Sequence, residues 1–282
     1  VTGDVAVNPG SSEGSRAGKL VLSAGAGVSG MGAAATLTGG AFKGTSPLVR
    51  SGPVIVHSGP SDTNTGFVWV ASANAGGSGG SGGVLLSSGS ATFGGSGQVQ
   101  LSTGDASDSS ASQIIVSAGS SAGALKNGAN IDVVAGKTTA GAFGGSIKLL
   151  SGESVGGSSG DLKFITANSG ERGSSGTITL ATGTGNRGNS GNIMLSSAEA
   201  DGGTGGSMAM SVGTGNSGDG GAVVLQAGSV GESGFRRVVG GFVAIGSGTS
   251  KRMSSGGMSL TTANSGQDGY SGAMLISTGS AS

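Results

Sequence analysis

Apolar residues in this chain come in short runs that keep a period of two. A small residue is followed by any residue, an apolar one, any residue, a second apolar one, any residue, a small one and usually Gly. Gly18-Lys19-Leu20-Val21-Leu22-Ser23-Ala24-Gly25 and Gly97-Gln98-Val99-Gln100-Leu101-Ser102-Thr103-Gly104 are two instances. An i, i+2 spacing puts side chains on one face of an extended strand, and no i, i+3, i+4 stripe predicts a helix. Eighteen such repeats run along the chain, with first apolar residues Val5, Leu20, Ala35, Val54, Val68, Val84, Val99, Ile114, Ile131, Ile147, Leu162, Ile178, Ile193, Met208, Val223, Val243, Met258 and Met274. Thirteen of the 17 spacings are 15 or 16 residues, a phase that a plain Gly/Ser linker has no reason to keep.

Two positions after the second apolar residue stands a small one, such as Ala24, Ser58, Ser88, Ala135, Ser151, Thr166, Thr182 or Ser197. The predicted inward row thus tapers from large to small. A longer period overlies the short one. Ala-Asn follows the apolar run at Ala73-Asn74, Ala167-Asn168 and Ala263-Asn264, each six repeats apart. Linkers carrying Phe42, Phe143 and Phe235 recur with the same period. The 282 residues divide into three blocks of about 94, at 1–94, 95–188 and 189–282, in a single continuous array.

This pattern predicts an all-β fold, a β-solenoid of about 18 coils with one strand per repeat. The aliphatic wall would face a thin Gly/Ser/Thr return path. At about 4.8 Å per stacked strand such a rod would be roughly 86 Å long. Two or three repeats per coil fit the same pattern, and an antiparallel silk-like meander is the alternative. The first repeat starts almost at once and the last ends with the chain, so the array reads as a segment of a longer repeat protein or filament.

Composition narrows the function. Gly contributes 65 residues and Ser 50, while charged residues are 10% and aromatics 3%. Net charge is zero, which argues against a nucleic-acid partner, and no apolar stretch is long enough to span a membrane. Cys is absent and His57 is the single histidine, so thiolate sites and multi-histidine metal centres are excluded. Ser58 and Asp62 lie near His57 in sequence, but with 50 Ser such proximity is expected by chance. Asp201 and Asp219 stand in Gly-rich tracts without the repeating Asp ladder of calcium solenoids. Only Thr36 and Thr179 occupy outward positions, which is no flat threonine array for ice. No catalytic residue, cofactor or metal site is expected, and the protein reads as something other than an enzyme.

The middle residue of each run, predicted to face outward, is large and apolar in eight of the 18 repeats. Ile55, Trp69 and Leu85 fall in three successive repeats, and with Phe67 they form a candidate lateral contact patch. Arg236, Arg237, Lys251 and Arg252 form a candidate patch for an anionic partner. The motif Gly-x-Ser-Gly-x-Val/Ile-x-Leu-x-Thr/Ser, at 94–104 and 188–197, resembles the giant Gly/Ser/Thr-rich repeat proteins of diatoms and related algae. That resemblance implies an extracellular, cell-wall or adhesive role with no catalytic residues. The expected function is a stiff extracellular filament or surface coat made by end-to-end and lateral association of copies. Cell-surface polysaccharide or mineral is a further expected partner. An adhesin or an ice- or polysaccharide-binding module is the alternative.

Overall fold

A computed structural model describes residues 4–11, 17–26, 31–44, 50–123, 126–231 and 239–280. The chain divides into two parts, Val1–Ile147 and Lys148–Ser282. Among the described residues neither part contains a helix or a strand. The predicted β-solenoid is therefore overturned, and the silk-like meander with it. Among the described residues no ladder of backbone hydrogen bonds links one apolar run to the next, and no hydrophobic residue is buried. The chain exposes 28,688 Å². A compact chain of 26.1 kDa would expose about 10,600 Å², and a fully extended one about 37,800 Å².

The physical reason lies in the ratio of apolar to glycine-rich sequence. Each repeat offers two or three aliphatic side chains for every 15 or 16 residues that have to be ordered. Ordering a residue costs backbone entropy, and glycine gives up the most. The aliphatic area of one chain is too small to offset that ordering.

Local order survives at the end of several runs. Among the described residues, eight glycines that close a run accept a backbone hydrogen bond from the residue that opens the next. In the first part Gly18 N–H donates to Gly10 O at 2.9 Å, Gly52 to Gly40 at 2.8 Å and Gly145 to Gly136 at 2.9 Å. In the second part Gly160 donates to Gly152 at 3.0 Å, Gly241 to Gly228 at 2.9 Å and Gly256 to Gly248 at 3.0 Å. Where it is described throughout, at 136–145, 152–160 and 248–256, the return segment is thus a surface loop with a neck, of the kind whose ends lie close together. It does not run as a wall opposite the apolar row.

The neck explains both the taper of the inward row and the glycine that opens most runs. A carbon placed on Gly145 would lie 3.3 Å from Ala135 Cβ, and one on Gly176 would lie 3.4 Å from Thr166 Cγ2. The same approach joins Gly97 to Ser88, Gly191 to Thr182 and Gly241 to Ala227. Small residues on both sides permit this closeness, and where alanine replaces the opening glycine, at Ala33 and Ala129, the neck bond is 3.2 and 3.1 Å. Among the described residues just Gly39, Ser58, Ala135, Thr166 and Ala227 are half-buried, and all five hold this neck position. At Ser197 the side chain itself closes the neck, its hydroxyl donating to Gly206 O at 3.0 Å.

The apex of the loop depends on its sequence. Hydrogen-bonded turns stand at 77–78, 171–172 and 267–268, after each Ala-Asn pair and therefore 94 and 96 residues apart. Gly173 N–H donates to Gly170 O at 3.3 Å and Gly269 N–H to Gly266 O at 3.4 Å, the i to i+3 bond of a β-turn. Gly77 has φ 65°, a value that glycine adopts without penalty. Other apices are plain bends, as at 155–157 and 251–253. There a serine hydroxyl accepts from the backbone: Ser154 from Gly157 N–H, and Ser250 from Met253 N–H, each at 2.9 Å.

Candidate interaction surface

The apolar runs keep their sidedness although nothing covers them. In the eight runs whose three positions are all large, the first residue is always the least exposed, at 48–60%. The middle residue is the most exposed in six of those eight. The first residue lies nearest the neck that opens its repeat, and the middle one points away, as a period of two requires. The difference is one of degree, because all three positions face water.

The four residues of the candidate lateral patch are all exposed. Ile55 is 73% exposed, Phe67 81%, Trp69 78% and Leu85 89%. The structure brings Phe67 and Trp69 together, with ring centroids 6.2 Å apart and planes tilted by 55°. That separation lies within the range of favourable aromatic pairs. The contact follows from the i, i+2 spacing, which sets both rings on one side of the run. Ile55 and Leu85 stand exposed on the preceding and following repeats.

Between residues 54 and 86 the only charged side chain is that of Asp62. His57 Nδ1 lies 2.9 Å from the Ser58 carbonyl oxygen, so Nδ1–H is the donor in this bond. The ring nitrogen is thereby engaged with backbone and not with the Ser58 hydroxyl or Asp62. Among the described residues no group of His, Asp or Glu is arranged to hold a metal ion.

Of the candidate anionic-partner patch, Arg236 and Arg237 lie outside the described residues, as does Phe235 of the same linker. Lys251 and Arg252 occupy the bend at 251–253, both exposed, and the Ser250 hydroxyl accepts from the Arg252 amide at 3.4 Å. Phe143, from the corresponding linker after the ninth repeat, is fully exposed. Lys163 pairs with Asp161 at 2.7 Å across Leu162, and both side chains are about two-thirds exposed or more, a setting in which ion pairs contribute little.

One feature escaped the sequence reading. Leu22, Ser23 and Ala24 of the second repeat and Ala34, Ala35, Thr36 and Leu37 of the third line a shallow, open groove. Its lining offers two hydroxyls and no ionisable group. The successive alanines at 33–35 are the signal in the sequence, since small side chains let two runs approach.

No helix among the described residues is long and apolar enough to cross a membrane. No known family model, curated protein or solved structure matches the chain.

Proposed function

We propose that this is a structural protein that builds an extracellular filament or surface coat by association of copies of itself. The observation that carries the reading is the periodic, uncovered apolar run. Eighteen repeats present short aliphatic stretches, and within the chain none of the described ones is buried. Exposed apolar surface on this scale drives association, because removing it from water is the main favourable term in assembly. Zero net charge and 10% charged residues leave little repulsion between copies. The neck-closed Gly/Ser loops space the runs regularly, so that each run of one copy meets an equivalent run of another. Lys251 and Arg252, exposed on a loop apex, suit an anionic polysaccharide or mineral as a further partner. The resemblance to algal Gly/Ser/Thr-rich repeat proteins accords with a place at the cell surface. Electron microscopy of native surface material, with labelling by an antibody to this chain, tests the reading. Labelled fibrils or sheets are the expected result, and label found only on dispersed single molecules would refute it.

A further inference from the structure

We infer that assembly starts at one place, the segment 54–86, through packing of this segment against the same segment of a second copy. The inference rests on the self-association reading and names the surface that begins it. Three successive repeats here have apolar residues on both faces, Ile55, Trp69 and Leu85 being the outward ones. The other all-apolar runs, at 20–22, 114–116, 193–195, 223–225 and 274–276, do not fall in successive repeats, and in the ninth to twelfth repeats the outward residues are polar, at Asp132, Lys148, Lys163 and Thr179. A run with a charge at its centre can cover only one face, whereas a run apolar on both can be enclosed.

Area and charge both favour a second copy as the occupant. Ten apolar side chains at 54–56, 67–70 and 84–86 are between 49% and 89% exposed. At about 60–120 Å² per aliphatic side chain and about 150–250 Å² per aromatic one, they expose on the order of 800 Å². That is roughly what each partner contributes to a standard-size specific interface. A second copy supplies an identical patch, and a two-fold arrangement sets like against like. Asp62 is the only charged side chain in the segment, so two such patches meet with little repulsion. Phe67 and Trp69 are already side by side at 6.2 Å, which makes them the anchor.

Trp69 is the only tryptophan of the chain, so its fluorescence reports on this segment alone. The test follows the 282-residue chain as it is concentrated from a dilute solution. Light scattering records assembly, while Trp69 emission and its quenching by acrylamide record burial. The expected result is an emission shift to shorter wavelength and a severalfold fall in quenching at or before the rise in scattering. The double variant F67S/L85S should slow assembly at least tenfold. The variant I178S/L180S, in a repeat with Thr179 at its centre, should slow it less than threefold. Scattering that rises while Trp69 stays fully quenchable overturns the inference and leaves self-association standing. So does a double variant that assembles at the wild-type rate. A chain that does not assemble at any concentration overturns both.

Discussion

Replacing Gly145 by Val tests whether the neck is a real contact. The first added carbon would lie 3.1 Å from Gly136 N, 3.3 Å from Ala135 Cβ and 3.4 Å from Gly136 O. Contacts this short require the neck to give way, and the branched side chain of valine adds bulk at the same point. Opening it breaks the bond from Gly145 N–H to Gly136 O, now 2.9 Å. Such a bond contributes about 0.5–1.5 kcal/mol. Closing a nine-residue loop costs about 2 kcal/mol in chain entropy, and the covered side chain of Ala135 returns roughly 0.8 kcal/mol. These amounts nearly cancel, so the neck is closed for only part of the time. In wild type the Gly145 amide should exchange its hydrogen two- to fivefold more slowly than an unstructured glycine amide. The assay is amide hydrogen exchange by NMR on dilute, unassembled chain, each rate divided by its intrinsic value. In Gly145→Val the residue-145 amide should exchange at the intrinsic rate, while the Gly160 amide keeps its protection. Gly104→Val, at a site with nothing within 4 Å, should leave the Gly145 amide unchanged. A Gly145 amide unprotected in wild type, or equally protected in the variant, would refute the neck.

Other outcomes follow from the same contacts. Gly77 has φ 65° and open space around it, so Gly77→Ala should cost about 1 kcal/mol through backbone strain alone, and Gly77→Asn less. Backbone coupling constants across 76–79 should show the turn weakened by Ala and largely kept by Asn. The exposed pair of Lys163 and Asp161 should matter little, and Asp161→Asn should leave the critical concentration for assembly unchanged within about twofold. Lys251→Ala with Arg252→Ala should lower retention on an alginate column and weaken its dependence on salt, while scattering-detected assembly proceeds as in wild type.

Much of the local structure was legible in the chain, because it depends on neighbours within one repeat. The taper from large to small marks the neck, and Ala135 facing Gly145 shows why the third position is small. The Ala-Asn pairs mark the hydrogen-bonded turns at 171–172 and 267–268. The alternation along Val84, Leu85 and Leu86 reappears as a difference in exposure. The strands and their stacking into coils, which the same pattern predicts, do not form among the described residues. Period and sidedness are the same for a coil that stacks and one that does not. The outcome depends on apolar area against the entropy of Gly/Ser segments, a sum over the whole repeat that no single motif displays. The candidate patch was legible as a set of large outward residues, but the ring contact of Phe67 with Trp69 is a fact of geometry. Arg236 and Arg237 fall outside the described residues, so the basic patch rests on Lys251 and Arg252.

Sedimentation velocity of the purified 282-residue chain over a wide concentration range tests self-association most directly. The expected result is a 26.1 kDa species at the lowest concentrations that gives way to large assemblies as concentration rises. A single monomeric boundary at every concentration would contradict it.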